Sequence, residues 1–376
     1  MAPVSDLVLN PLSVPPAARR ILVIRLGALG DVVRTMPAVA LLRDAYPDAH
    51  IDWLVEERTE AVVAGRGYLD GVVVFPRAGL VEQARSLHVP AVWAGLRRFL
   101  RALRAKDYDL VLDFHAIARS ATLARLARAS LRIGYAPPYA REGAHHLVDR
   151  RVRLARAKCS RFTRNEALVR AVIGEAPQPK TPALVPVAAA RDALRGRLAG
   201  EPAPVVLHPG SSLVAAHKRW PSERFADLAR ALEARGYRPV IASGPSVEEQ
   251  RLATGVCAES GLAHERLIVT QTFEELAALL EASQAFVGCD SGPLHVSSLV
   301  GTPVVQLVGP TDPDENEPWS ETPSRRVSIP LACRPCRRGC AAAACMRGIE
   351  VESVVEALSG LVDGRGRLRV VPMAAR

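Results

Sequence analysis

Asp31 closes a short turn, Gly27-Ala28-Leu29-Gly30-Asp31, that follows the apolar run Ile21 to Arg25 and leads into a helical pattern beginning at Val32. Gly27 and Gly30 permit a tight strand-to-helix turn, and an Asp at the helix N-cap or in its first turn is favoured by the helix dipole. Such a carboxylate can take a proton from a hydroxyl, or it can simply cap the helix. In the other half of the chain, Asp290-Ser291-Gly292-Pro293-Leu294-His295 follows Ala285 to Gly288 and opens a second helical pattern. A Ser hydroxyl, a Gly N–H and a helix start with Pro in its first turn make a seat for phosphate. Asp290 would repel an anion there, so its expected role is to orient the loop or Lys218.

A third loop, His208-Pro209-Gly210-Ser211-Ser212, follows Val205 to His208 and precedes Lys218-Arg219-Trp220-Pro221. Hydroxyls donate to phosphate oxygens and an ammonium supplies compact positive charge. Gly309-Pro310-Thr311-Asp312-Pro313 ends the next apolar run and is expected to rim the same pocket. Neither the dinucleotide fingerprint G-x-G-x-x-G nor a P-loop is present.

Elements at α/β spacing must hold these loops. Ile21 to Arg25, Ile51 to Val55, Val72 to Phe75 and Leu110 to Phe114 read as strands, with helical patterns at Val32 to Ala45 and Ala91 to Ala105. A second series runs through Val205 to His208, Val240 to Ser243, Leu267 to Val269, Ala285 to Gly288 and Val304 to Val308. Helices are expected between them at Ser222 to Arg235, Val247 to Glu259, Phe273 to Ala282 and Pro293 to Leu299. The expected fold is α/β, two Rossmann-like domains facing a cleft. Residues 1–20 carry four prolines and read as a disordered leader rather than a signal peptide. The N-terminal domain is expected over 21–185, a Pro-rich linker with a helix candidate at Ala188 to Leu198 over 186–204, and the C-terminal domain over 205–376.

The chain has 376 residues, enough for two cores, and 49% of them are hydrophobic. Aromatics make up 5%, too few for base-stacking platforms to be the main theme. Net charge is +10, so a polyanionic partner fits. Two Arg-rich clusters concentrate the excess, one at Arg97, Arg98, Arg101, Arg104 and Lys106, the other running from Arg150 to Arg164. Nucleic acid, a phosphorylated glycolipid and an anionic membrane surface all suit them, as does plain solvation of helix faces. No run reaches the roughly 18 apolar residues of a membrane span, and a cytoplasmic protein, peripheral at most, is expected.

Cys159, Cys257 and Cys289 are isolated, which argues against a secreted disulfide framework. Cys333, Cys336, Cys340 and Cys345 place four thiols in thirteen residues. That density suits zinc or an iron–sulfur cluster, although the spacing matches no common zinc pattern. Reduced thiols or a local disulfide are the alternatives.

Taken in order, ILVIRLGALGDVVRTMPAVALLRDAYPDAHIDWLVEE, VVLHPGSS with HKRWPSERFADLARAL, and FVGCDSGPLHVSSLVGTPVVQLVGPTDP resemble the bacterial ADP-heptose:lipopolysaccharide heptosyltransferases, from about Ile21 to about Leu358. The resemblance implies a GT-B fold and inverting, metal-independent transfer of heptose from ADP-heptose to a lipopolysaccharide core acceptor, with no cofactor. It implies that Asp31 is the general base and that Lys218 steadies the leaving diphosphate. Ser211, Ser212, Ser291 and Gly292 look like phosphate contacts, with Asp290 and His295 in the same donor loop. Glu248 falls where the family holds the ribose, and Gln271, by spacing, near the nucleobase. Gly27, Gly30, Arg97, Arg98 and Arg101 would lie on the acceptor side, facing a phosphorylated glycolipid or the inner membrane. Leu213 to His217 departs from the polar residues of some members, and Cys-rich stretches at 333–345 recur in relatives.

Two other readings stay open. A related glycosyltransferase could use another nucleotide sugar or a protein acceptor. A basic nucleic-acid-binding protein with a Cys-rich metal module would account for charge and thiols, yet it leaves Asp31 and the paired glycine turns unexplained; no nucleic-acid partner is expected.

Overall fold

The computed structural model describes residues 7–12, 18–174, 183–198, 201–336, 339–362 and 371–372. The chain divides into two compact units, Met1–Ala183 and Leu184–Arg376.

Unit 1 contains strands β1 (Arg20–Ile24), β2 (His50–Glu56), β3 (Gly71–Phe75), β4 (Tyr108–Asp113), β5 (Ala129–Tyr135) and β6 (Arg150–Val152). Its helices are α1 (Leu29–Val33), α2 (Met36–Ala45), α3 (Glu60–Val63), α4 (Arg77–Arg85), α5 (Val89–Arg104), α6 (Ala118–Leu126) and α7 (Arg161–Ile173). All strands are parallel, in the order β3-β2-β1-β4-β5-β6. Both faces of such a sheet are covered by helices, so its central strands read as unbroken apolar runs; Ile21 to Ile24 and Leu110 to Leu112 are all buried. Leu22, Ile24, Phe99, Leu103, Val111 and Leu123 pack into one core that fixes α5 and α6 on the sheet. The strand order reverses between β1 and β4, the place where open α/β sheets gather ligands.

Unit 2 repeats the plan. It holds α8 (Ala188–Leu198), β7 (Val205–His208), α9 (Ser222–Glu233), β8 (Pro239–Ser243), α10 (Val247–Ser260), β9 (Leu267–Val269) and α11 (Phe273–Glu281). Then come β10 (Ala285–Cys289), α12 (Gly292–Leu299), β11 (Val304–Leu307), β12 (Ser324–Ser328), α13 (Ala344–Arg347), α14 (Val351–Val362) and β13 (Val371–Pro372). The parallel order is β13-β12-β11-β10-β7-β8-β9, reversing between β10 and β7. Trp220 anchors its core: the ring lies edge-on to Phe225 at 5.0 Å, and its indole N–H donates to Ile349 O at 3.1 Å.

Two expectations are corrected, and three strands went unread. Of the leader expected to be disordered, residues 7–12 dock on unit 1, where Leu7 is buried and Asn10 Nδ2 donates to Arg151 O at 2.8 Å. Val8 also bridges Leu154. Residues 1–6 and 13–17 lie outside the described set. The span expected to be a linker, 186–204, is largely part of unit 2: Leu194 of α8 is buried, and Arg191 pairs with Glu281 of α11. Residues 199–200 of that span lie outside the described set. Finally, β5, β6 and β12 escaped the apolar-run criterion because arginine and serine interrupt them. On a short edge strand such as β6, exposed Arg150 and Arg151 discourage pairing with another chain.

Candidate active site

In unit 1 the turn after β1 carries Asp31 into the first turn of α1 at the reversal point. Neither Gly27 nor Gly30 takes the left-handed conformation expected of a tight glycine turn. Gly27 leaves the backbone open instead: a Cβ there would meet nothing nearer than Thr59 Cγ2 at 3.9 Å.

Three guanidinium groups hold the Asp31 carboxylate. Arg25 Nη2 is 2.6 Å from Oδ2, while Arg34 Nη2 and Arg161 Nη1 are 2.7 and 2.8 Å from Oδ1. Burial alone would raise the pKa of this carboxyl, but the attraction of Arg25, Arg34, Arg161 and Arg164 outweighs it and holds the group well below its ordinary range. The arginines are themselves fixed. Arg25 Nη1 donates to Phe114 O at 2.7 Å, tying β1 to the end of β4. Asn165 Nδ2 donates to Arg34 O and Thr35 Oγ1, both at 3.0 Å, and Thr35 Oγ1 donates to Asp31 O at 2.9 Å. The Arg164 guanidinium lies over Tyr135 and Tyr139 at 5.6 and 5.3 Å.

Two more titratable groups stand at the end of β4. Burial pushes Asp113 up to about 6, against hydrogen bonds from Ala116 N, Ser120 Oγ and His115 N and the charge of Arg25. Those bonds, at 2.9–3.1 Å, occupy both carboxylate oxygens and mark Asp113 as a turn-former. Burial and Arg25 together lower His115 to about 3, so the imidazole is neutral near pH 7. Asp31 is thus the more exposed and the more firmly ionised carboxylate of the two.

Arg97, Arg98 and Arg101 are not brought to this site. Phe99 and Leu103 of α5 face the core, which leaves these arginines on the exposed face. The helix returns from β3 toward the amino end of β4 and so carries Arg101, in its last turn, away from the carboxyl edge that holds Asp31.

In unit 2 four consecutive strand ends carry the remaining candidates. The order β10, β7, β8, β9 presents Asp290 and Ser291, then Ser211 and the turn to Lys218, then Gly244 and the start of α10, then Gln271. At about 4.8 Å per strand the row spans roughly 14 Å, a length suited to a nucleoside diphosphate. Lys218 Nζ donates to Asp290 Oδ2 at 2.9 Å, and His295 Nε2 lies 3.5 Å from Asp290 Oδ1. Ser291 is the N-cap of α12 but makes no capping bond, and its buried hydroxyl has no hydrogen-bond partner among the described residues. A buried hydroxyl beside the free N–H groups from Gly292 onward is an anion seat.

Ser211 is less available than expected, because its hydroxyl bonds to Ala215 O and receives Arg219 Nε, both at 3.1 Å. Ser212 is exposed, as is Gln271, whose N–H donates to Glu275 Oε2 at 2.9 Å. Glu248 pairs with Arg219 Nη1 at 2.8 Å. Its neighbour Glu249 turns to the strand ends, where Gly244 N donates to Oε2 at 3.2 Å and burial lowers the pKa of His208 despite Glu249's charge. Sequence reasoning missed Arg25, Arg34, Arg161, Arg219 and Glu249 as site-builders. The adjacent Lys218-Arg219 and Glu248-Glu249 pairs were the available signals.

All seven cysteines are free thiols. Burial, with Cys340 and Cys333 nearby, pushes the Cys345 thiol up.

Residues 96–346 match the profile of glycosyltransferase family 9 (heptosyltransferase). A lipopolysaccharide heptosyltransferase 3 of Escherichia coli is 27% identical over 306 residues, covering 77% of this chain and 84% of that protein. The solved E. coli heptosyltransferase WaaC with ADP superposes with a TM-score of 0.71 at 22% identity, over 90% of this chain and 98% of that one. A family 9 glycosyltransferase of Veillonella parvula gives a TM-score of 0.72 at 23% identity, over 92% and 97%. The fold is therefore that of the GT-B heptosyltransferases.

Proposed function

The chain belongs to glycosyltransferase family 9, the heptosyltransferases, and from that premise we propose that it transfers heptose from ADP-heptose to a lipopolysaccharide core acceptor with inversion at the anomeric carbon. The observation that carries the donor side is the row of candidates over β10, β7, β8 and β9, with the unpartnered Ser291 hydroxyl at a helix start and Lys218 beside it. The diphosphate would lie on α12 and Lys218, and the nucleoside along the ends of β8 and β9. Asp31 takes the acceptor proton as the anomeric centre becomes oxocarbenium-like, which suits a base of low pKa because the proton leaves late. Lys218 and the α12 start answer the charge that grows on the diphosphate, so the reaction calls for no metal or other cofactor. The solved relative with ADP supports this donor.

The nucleic-acid-binding alternative gives way to family membership. A different nucleotide sugar is separated by direct assay: the purified chain should transfer from ADP-heptose and not from UDP- or GDP-sugars to heptose-deficient core lipopolysaccharide. Mass spectrometry of lipopolysaccharide from a deletion strain should show one heptose missing, and an unchanged core would sink the reading.

We further propose cytoplasmic residence with peripheral contact at the inner membrane, through the α4–α5 hairpin. No described helix is long and apolar enough to cross a membrane. The hairpin instead exposes Leu87 (83%), Val89 (58%) and Trp93 (57%) beside Arg85, Arg97 and Arg98, and α5 has no acidic residue. Exposed apolar and aromatic groups on a basic amphipathic helix suit an anionic lipid surface. Reversing Arg97, Arg98 and Arg101 to Glu should weaken co-sedimentation with phosphatidylglycerol vesicles by at least about 10²-fold, the effect of losing three cations at about 1 kcal/mol each, with the added repulsion of three carboxylates on top. Turnover of a soluble acceptor should be unchanged. Vesicle binding that ignores the triple reversal would make α5 an ordinary solvated face.

A further inference from the structure

His115 stands two residues past the end of β4, where the strand order of unit 1 reverses, and the proposed reaction gives it no part. Its backbone is nevertheless firmly held. The Asp113 carboxylate accepts from His115 N at 2.9 Å and from Ala116 N at 3.1 Å, and Ser120 Oγ donates to its other oxygen at 2.9 Å. Arg25 Nη1 fixes Phe114 O just before. Ala116, just after, takes φ +55°, a left-handed conformation that is uncommon for a residue with a Cβ, and Arg141 N locks it by donating to Ala116 O at 2.9 Å. Backbone of this kind persists only where its neighbours over-determine it, and it gathers at binding sites.

The two ring nitrogens differ. Leu26 N, at the entry to the turn that carries Asp31, donates to His115 Nδ1 at 3.4 Å, and this bond assigns the tautomer: Nδ1 is bare and Nε2 carries the hydrogen. Nε2 has no partner among the described residues and is not shut away from solvent. Burial and the charges of Arg25, Arg119 and Arg141 outweigh the charge of Asp31 and keep the imidazole neutral near pH 7. The ring is thus neither an acid nor a rival base to Asp31. It is a fixed, open N–H donor.

We propose that His115 orients the acceptor, its Nε2–H donating to a sugar oxygen next to the hydroxyl that Asp31 deprotonates. The inference rests on the transfer reading above and adds a residue to it. His115 and Asp31 meet at one reversal point, and Arg25 joins them: Nη2 is 2.6 Å from the Asp31 carboxylate, and Nη1 holds Phe114 O beside the imidazole. A carboxylate of low pKa is a weak base, so the acceptor hydroxyl must already be held in line when the proton leaves. Misplacement by about 1 Å costs on the order of 10²-fold in rate. Asp31 contacts only the reacting hydroxyl and cannot by itself fix how the sugar is turned. An N–H donor beside it supplies a second anchor, and the support of Leu26 occupies only Nδ1.

Two substitutions separate the nitrogens. His115→Asn places an amide oxygen near Nδ1, so it keeps the bond from Leu26 N and loses the outer donor, whereas His115→Gln places an amide nitrogen near Nε2, keeping the donor and losing the inner bond. With ADP-heptose and heptose-deficient core lipopolysaccharide, His115→Asn should lower kcat/KM for the acceptor about tenfold, the effect of one lost hydrogen bond, with donor KM and Tm unchanged. His115→Gln should recover most of that loss while lowering Tm. The opposite order, an unimpaired Asn variant beside an impaired Gln variant, makes His115 a structural support of Leu26 and overturns the proposal. Equal losses toward acceptor and donor overturn it too. A wild-type chain that transfers no heptose defeats the transfer reading and this inference with it, whereas a wild type that transfers normally beside an unaffected His115→Asn defeats the inference alone.

Discussion

Asp31→Asn is expected to lower turnover by roughly 10² to 10⁴-fold, the effect of losing a general base, while leaving ADP binding by unit 2 unchanged. The geometry adds a second consequence. Arg25 and Arg34 are almost wholly buried and share this carboxylate. An uncharged amide leaves them without their counter-charge, so the variant should also lose roughly 1.5–3 kcal/mol, the worth of a hydrogen bond to a charged group. Turnover must be compared well below the lowered Tm. The pH dependence has a definite sign. Because the folded pKa lies below the unfolded one, the pair stabilises fully above the unfolded value, about 3.9, and that stability is lost as pH falls through the folded value. Activity should therefore show no acid limb from this base between pH 5 and 7. Near-normal turnover in Asp31→Asn, with ADP binding intact, would remove Asp31 from the reaction.

The arginine cage shows why part of the site was legible and part was not. Asp31 stood out because its turn interrupts a strand-to-helix pattern, a local signal. Its partner Arg161 lies 130 residues away and reaches it only because α7 packs on α2 in unit 1. In the sequence that arginine belongs to a basic run indistinguishable from a solvated face. Glu248 and Glu249 pose a different problem: adjacent helical residues point about 100° apart, so motif spacing could not decide which one faces the strand ends. The structure turns Glu249 to Gly244 and leaves Glu248 to Arg219. Central strands such as β1, β7 and β10 were readable because burial on both faces demands unbroken apolar runs. The edge strand β6 was not, since solvent on one side tolerates arginine, and neither was β12, whose Ser-Arg-Arg sequence breaks the apolar run although it lies between β11 and β13.

Lys218→Ala is expected to remove about 2–4 kcal/mol of transition-state stabilisation, the range for one lost electrostatic donor, and to weaken ADP binding by less. Lys218 follows the β7 loop, a quarter exposed, with its ammonium 2.9 Å from the nearly buried Asp290 carboxylate. Asp290 fixes the ammonium beside the start of α12 before any donor arrives, and so reduces the reorganisation needed when charge grows on the leaving diphosphate. An interaction that strengthens as the glycosidic bond breaks depresses turnover more than ground-state affinity. Removing the lysine also takes away the ammonium 2.9 Å from the Asp290 carboxylate, a negative charge close to where the diphosphate would lie. Asp290→Asn added to Lys218→Ala should therefore restore part of the ADP affinity and none of the rate. Lys218→Arg should rescue only partly, because a planar fork does not replace a compact point charge. Equal losses in ADP affinity and rate would reduce Lys218 to ground-state binding, and a change confined to acceptor KM would assign it to the acceptor instead.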